Sequence, residues 1–372
     1  DDHMGLVTSR PIITKANTGD QVVIVSNGVN SKDKEPALFV YRLSDGVRLA
    51  KIAPVDVDGA GPVEITNNTS GNGLSAATGI DDNADGRVDL VYAGDMLGNL
   101  WKFDLSSNLS TKWEVANNGL PMFSAKDPND SKILQPISGG VAIGFDSSNK
   151  PWIYFGTGRF LTSGDIASTN IQTWYGLRDN DEVIPGRGDL KQRKVEIEGT
   201  FAGKNVRAFE PSVAGDMDDK KGWYIDLINP PYDATKKEGE RIVGTPLVRG
   251  TTVIVSTSIP SDNPCKNTGA GYINVVDAFS GSRGLDSPNA DGYLNLNGIN
   301  GFSDDKITDK NGKSYTIGSV DLGVNMPTDA LVLAGDTNEL IVVGGSLGGT
   351  ASAPFKGTRI IGRISWHEMI NN

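Results

Sequence analysis

Short apolar runs of five to eight residues, each followed by a Gly, Asn, Asp or Ser turn and then a second apolar run, recur from one end of this chain to the other. Val22 to Ser26 is followed by Ala37 to Leu43, Val88 to Gly94 by Asn99 to Leu105, and Trp152 to Gly158 by Gln172 to Arg178. Later copies are Val253 to Ser258 with Tyr272 to Ala278, and Leu340 to Gly344 with Arg359 to Trp366; a less distinct one contains Trp223 to Leu227. Runs of this length, rich in β-branched and aromatic residues and bounded by turn formers, predict strands joined as hairpins. Helical periodicity is confined to Lys112 to Asn117 and Asp165 to Thr173.

A hairpin alone cannot bury both of its faces, so neighbouring units must stack. Spacing of roughly 30 to 90 residues between units suits a four-stranded blade with a variable outer loop, the way a β-propeller is written in sequence. The expectation is one all-β domain over residues 1–372: a modified propeller of about six to seven blades with long inter-strand loops. A doubly wound α/β fold would need helices between the strands, which the pattern lacks; a large β-sandwich is the structural alternative. The polar insertions Asp127 to Lys132, Asp179 to Arg193 and Asp286 to Ser314 read as blade-edge loops, and no low-complexity linker marks an internal boundary.

Composition sharpens this. The 46 glycines suit a turn-rich β fold. A formal net charge of -11 repels phosphate backbones and anionic lipid, which argues against nucleic acid as a partner and suits a divalent cation. Cys265 stands alone, so neither an internal disulfide nor a Cys-rich zinc site can form. No apolar run is long enough to span a membrane as a helix. The opening Asp1-Asp2-His3-Met4 has no export-signal pattern, and the chain reads as a C-terminal piece of something longer.

The candidate chemistry lies at Asp81-Asp82-Asn83-Ala84-Asp85-Gly86-Arg87-Val88-Asp89. Oxygen side chains fall at loop positions 1, 3, 5 and 9 and glycine at position 6, the spacing of a calcium loop. Alternate side chains of a tight loop converge on one centre, so Asp81, Asn83 and Asp85 can share a cation, the Arg87 carbonyl takes position 7, and Asp89 closes the shell directly or through water. Val88 is expected to plug into the core. Tyr92 stands where an EF-hand has its bidentate Glu, inside a strand, so this is not a helix-loop-helix hand. The bland reading is an Asx-rich turn held by side-chain to backbone bonds. Of two fainter echoes, Ser287 to Gly292 reads better as an ordinary hairpin turn and Asp216 to Asp219, which lacks the glycine at position 6, as a solvated acidic turn.

Catalysis finds little support. His3 and His367 sit near opposite termini, Gly-x-Ser-x-Gly is absent, and Gly156-Thr157-Gly158 lacks the third glycine and the helix of a phosphate cradle. The six tryptophans lie in or beside strand signals, where packing is the default. Arg187-Gly188-Asp189, a tripeptide that some integrins read, falls in a polar stretch and is expected to be an ordinary exposed loop that tolerates substitution.

The run from Tyr92 through Gly94-Asp95 and Gly98-Asn99-Leu100-Trp101 to Asp104-Leu105, just after the loop, resembles the PilC/PilY family of type IV pilus proteins. Tyr154 to Leu161, Gly222 to Leu227, Gly239 to Val243 and Gly362 to Trp366 match it in order, so the resemblance covers essentially the whole C-terminal domain of that family. It implies a modified propeller with bound Ca2+. It also implies an exported, non-enzymatic factor at the cell surface, pilus tip, outer membrane or periplasm. Such a factor supports pilus extension against retraction, twitching motility and adhesion, and its expected partners are minor pilins and host surface receptors. Family members often place further cysteines near the segment matching Pro264-Cys265-Lys266, whereas Cys265 is alone here. The phrase around Gly98, Trp101 and Asp104 also resembles quinoprotein dehydrogenase propellers, but no second set of carboxylates converges outside the loop. A secreted propeller lectin or adhesin without a pilus role is the competing class.

Overall fold

The computed structural model describes residues 3–32, 34–54, 71–230, 237–261, 269–283, 292–299, 301–334 and 339–357. Among them the strands form six sheets. The first is an antiparallel meander of Ile12–Lys15, Gln21–Ser26, Leu38–Arg42 and Arg48–Ile52. In the second, Thr78–Ile80, Leu90–Gly94, Asn99–Asp104 and Glu114–Val115 follow in order, with Phe123–Ser124 also paired to the third of them. The third sheet runs Ala142–Phe145, Pro151–Gly156, Thr173–Arg178 and Gly222–Asp226, and ends on Lys191–Arg193, which pairs parallel to its neighbour.

The fourth sheet is less regular. Ser319–Val320 bridges the hairpin Val195–Phe201/Lys204–Phe209 to the meander Ile273–Asp277, Thr252–Ser256, Leu247–Arg249. A hairpin of Lys306–Thr308 and Ser314–Thr316 packs beside it, and the last sheet holds Leu331–Ala334, Glu339–Gly344 and Thr350–Phe355.

Alternation along the strands decides how the sheets assemble. Successive side chains point to opposite faces, so a strand apolar on both faces must be covered on both. Val91 joins the core between the first and second sheets, whereas Tyr92 joins the core between the second and third. Ile153 packs toward the second sheet, while its neighbours Trp152 and Tyr154 pack toward the fourth. Val276 faces the third sheet and Val275 the last. Four separate cores result, each held between consecutive sheets, which is the expected all-β, modified-propeller arrangement.

Some pairings differ from the sequence expectation. Gly222–Asp226, read as part of a separate unit, is a strand of the third sheet next to Thr173–Arg178, because Trp223 and Ile225 complete that sheet's inner face. Glu339–Gly344 pairs with Thr350–Phe355, a nearer and equally extended run; Arg359 to Trp366 lies outside the described residues. In place of a helical turn at Lys112 to Asn117 there is a short strand, Glu114–Val115, between two 3-10 turns. The second helical segment is a single turn at Ser163–Ile166, capped reciprocally by Thr162 and Asp165.

Candidate metal centre

Residues 81–89 connect two neighbouring strands of the second sheet, with Ile80 and Leu90 paired at their base. Val88 anchors the loop as expected. It is 4 % exposed within the core between the first two sheets, and its N–H donates to the Lys15 carbonyl at 2.9 Å. Two residues of the loop have left-handed backbone, Gly86 at φ 86° and Ala84 at φ 62°. The first was anticipated from the glycine. The second is a strained site for an L-residue and carries no sequence signal.

The oxygen side chains are knitted to the loop's own backbone. Asp81 accepts from the Asp85 N–H through Oδ1 at 3.0 Å and from the Gly86 N–H through Oδ2 at 2.7 Å. Asn83 Oδ1 accepts from the same Asp85 N–H at 2.9 Å, so the donors at positions 1 and 3 converge on one nitrogen. Asp85 Oδ1 accepts from the Arg87 N–H at 3.0 Å, and its other oxygen stands 4.0 Å from Arg87 Nε. Asp89, 3 % exposed, turns back beneath the loop, where its Oδ2 accepts from the N–H groups of Asp82 and Asn83 at 3.0 and 3.3 Å. Its Oδ1 accepts from Asn17 Nδ2 at 2.9 Å. Asn17, from the turn of the first sheet, was invisible to sequence reasoning because it lies 72 residues away.

In donor type the loop fits a hard cation: three carboxylates, an amide oxygen and a turn that keeps one lone pair of several oxygens free after the backbone bond. The carboxylates themselves point to the backbone rather than to a common centre. Among the described residues no group of three or more His, Cys, Asp or Glu side chains is placed to hold a metal ion.

Next to the loop, Asp82 and Leu90 border a partly open cavity of about 160 Å³, lined on its other side by residues 148–151 and by Asp179 and Asp181, which follow a strand of the third sheet. Beneath it Lys102, 4 % exposed, donates to Asp179 at 2.7 Å and to Asp181 at 2.6 Å, and the Tyr92 hydroxyl donates to Asp179 at 2.6 Å. Burial, reinforced by the Asp179 charge, pushes the Tyr92 hydroxyl far above its ordinary pKa. Burial works against the Lys102 ammonium, yet Asp179 and Asp181 hold it above its usual value. This charged cluster ties the strand following the loop to the next sheet, and the sequence did not reveal it.

Other singled-out residues resolve differently. Arg187–Asp189 is a 3-10 turn, and the Arg187 guanidinium is not an exposed recognition group. It lies 4.7 Å over the Tyr224 ring and donates to Asp226 and Thr173 at 2.8 Å, because an arginine can be buried only where carboxylate and ring faces replace water. The expectation of an exposed, freely substitutable loop is therefore corrected at Arg187. The segment at Asp216 is a turn as expected, but Asp216 is not solvated: it is committed to a bidentate pair with the buried Arg193. Trp174 and Trp223 pack edge to face with centroids 5.3 Å apart, a core role. Cys265, His367 and the echo at 287–291 lie outside the described residues.

Comparison with known proteins agrees with this fold. The family model described as the PilY1 beta-propeller domain matches residues 2–200. A type IV pilus biogenesis factor PilY1 homolog of Xylella fastidiosa is 33% identical over 299 residues, covering 78% of this chain and 20% of its own length. A second homolog from that organism is 32% identical over 380 residues, covering 99% of this chain and 27% of its own length. The type IV pilus biogenesis factor PilY1 of Pseudomonas aeruginosa PAO1 is 26% identical over 317 residues, or 75% of this chain and 26% of that protein. The chain thus spans only about a fifth to a quarter of the curated relatives it matches. The crystal structure of the P. aeruginosa PilY1 C-terminal domain superposes with a TM-score of 0.75 at 20% identity, over 96% of this chain and 73% of that one.

Proposed function

The chain belongs to the PilY1 β-propeller domain family, and from that premise we propose that it is the propeller part of a type IV pilus biogenesis factor. In this reading it is a non-enzymatic, calcium-binding module, exported and carried at the cell surface or pilus tip. It engages pilus components, with minor pilins as the first partners to test, and supports extension against retraction, twitching motility and surface adhesion. Family membership supports the pilus role.

The calcium role rests on one observation: the Asp81 and Asn83 oxygens meet at a single backbone nitrogen while Asp89 reaches back under the same turn. Asp81, Asn83, Asp85, the Arg87 carbonyl and Asp89 would hold the ion. Bound calcium would offset two of the three carboxylate charges and stiffen the loop against the first sheet, where Val88 and Asn17 are seated. The oxygens lie within one turn, and binding would swing them from the backbone N–H groups that they now accept from toward the ion.

The decisive experiment is a calcium titration of the purified chain and of Asp85→Ala, followed by pilus assembly with the same substitution in the full-length protein. Unchanged affinity in Asp85→Ala would show that the loop is only a turn. Lost affinity with normal piliation would separate calcium from the pilus role.

A further inference from the structure

The last sheet, Leu331–Ala334, Glu339–Gly344 and Thr350–Phe355, has a packed core on one face. Ile341, Val343, Ala353 and Phe355 point into the core shared with the fourth sheet, and Val332 packs against it. Successive side chains of a strand alternate, so Leu331, Leu333, Leu340, Val342 and Pro354 face the other way. The register sets them side by side: Leu331 opposite Val342, Leu333 opposite Leu340, and Leu340 opposite Pro354. Leu331 is 65 % exposed, Leu333 56 % and Leu340 38 %.

A single exposed leucine is ordinary, but three on one small face, beside a valine and a proline, form a contiguous apolar patch of the kind that marks a contact surface. Strands that are apolar on both faces have a neighbouring sheet on each side elsewhere in the molecule, as Val91 with Tyr92 and Val275 with Val276 show. The last sheet has the two-sided sequence of an inner sheet and, among the described residues, a neighbour on one side.

The path of the chain narrows what covers the patch. At the end of Thr350–Phe355 the outer edge is already paired: the Asn295 N–H donates to the Pro354 carbonyl at 3.1 Å, the Lys356 N–H donates to the Tyr293 carbonyl at 2.9 Å, and Leu294 bridges to Phe355. The residues that follow cannot fold back as a fourth strand along that edge. Gly357 is still held to the sheet, because a Cβ there would stand 2.3 Å from Glu339 Oε2. Fifteen residues, 358–372, remain and lie outside the described residues. In an extended run Ile360, Gly362, Ile364 and Trp366 fall on one side, and Arg359, Ile361, Arg363 and Ser365 on the other. Fifteen extended residues reach roughly 50 Å, whereas three strands are only about 10 Å across.

We propose that residues 359–366 lie across the outer face of the last sheet, with Ile360, Ile364 and Trp366 seated on Leu331, Leu333, Leu340 and Val342. The occupant is the chain's own terminal run rather than a second copy. Tethered at Gly357, it meets the patch at an effective concentration that a free partner in dilute solution does not match. The run that the sequence sets beside Leu340 to Gly344 thus meets that strand face on, not edge to edge.

Hydrogen exchange read by mass spectrometry on the 372-residue chain tests this. Amides of residues 359–366 should exchange at least tenfold more slowly than an unstructured peptide of the same sequence. Ile364→Asp should abolish that protection and speed exchange in Leu331–Ala334 at least tenfold, leaving Pro151–Gly156 unchanged. Leu333→Asp should release the terminal run from the other side of the contact; Leu333 is exposed, so this variant keeps its fold and guards against a misfolded Ile364→Asp. A terminal run that exchanges at the unstructured rate in the wild type overturns the proposal. So does a protected run that Leu333→Asp leaves protected, since it is then docked elsewhere. A dimer by light scattering that Leu333→Asp dissociates and Ile364→Asp does not would give the face to a second copy and overturn it as well.

Discussion

Asp85 and Asp89 both belong to the loop, yet they are expected to fail in different ways. Asp85 is exposed and bonds only inside the turn, so Asp85→Ala should leave the fold intact and weaken calcium roughly tenfold or more, whereas Arg87→Ala keeps the coordinating carbonyl and should be nearly silent. Calorimetry on the two variants reads the contrast. Asp89 is buried and accepts from three donors, so Asp89→Ala leaves two backbone N–H groups without an acceptor, while Asn17 keeps the Val88 and Leu105 carbonyls, and it should cost about 2 kcal/mol in urea unfolding even with chelator present. A loss seen only with calcium would make Asp89 a ligand and nothing more. Arg187 extends the contrast. Arg187→Ala leaves the Asp226 carboxylate with Thr173 and Gln192 as donors but without its ion partner, and about 3 kcal/mol of stability should go with it, while the exposed Gly188 next door should tolerate change. The sequence showed the contiguous ligand candidates because they lie within nine residues. It hid Asn17, Asp179 and the ion pair that Lys102 makes with Asp179, because only the stacking of sheets brings Asn17 and Asp179 to this part of the second sheet.

At the scale of strands, the paired runs read from the sequence were mostly right where two strands follow one another through a turn, since alternation and turn chemistry are local. Leu90–Gly94 with Asn99–Asp104 is such a case. Gly222–Asp226 is the opposite case: its partner Thr173–Arg178 ends more than forty residues earlier, and an apolar run does not say which distant strand it joins. One rule became visible only in three dimensions. Strands of the second and third sheets end in Gly94 and Gly156, and a Cβ built there would meet Ile137 at 2.2 Å and Ile242 at 2.1 Å. Each isoleucine belongs to a segment that crosses close over the end of the strand, so the glycine makes room for it. Gly156→Ala should therefore cost about 2 kcal/mol by overpacking, although alanine suits a strand better by propensity. Gly199, whose Cβ would have 3.8 Å of clearance, is the control in the same denaturation series. Equal stability of Gly156→Ala and Gly199→Ala would mean that the crossing segments are looser than the structure shows.

Across the whole molecule, stability is divided among four cores, each shared by two neighbouring sheets, so a perturbation spreads first to the adjacent pair. The candidate loop touches one of these directly, through Val88 in the core between the first and second sheets. It reaches the next through Tyr92, which lies in the core between the second and third sheets and holds Asp179. The fourth and last sheets rest on Ile254, Val275 and Ile341, far along the chain of contacts from any loop residue. Chelation should therefore lower the melting temperature by only a few degrees at saturating initial calcium, as expected when a ligand of modest excess is withdrawn from one site. The far-UV β signal should persist. Hydrogen exchange should speed up in Thr78–Ile80, Leu90–Gly94 and the facing Ile12–Lys15, and stay unchanged in Thr252–Ser256. Global loss of the β signal on chelation would mean that the metal governs folding of the whole domain, and nearest-neighbour coupling between sheets would be refuted with it.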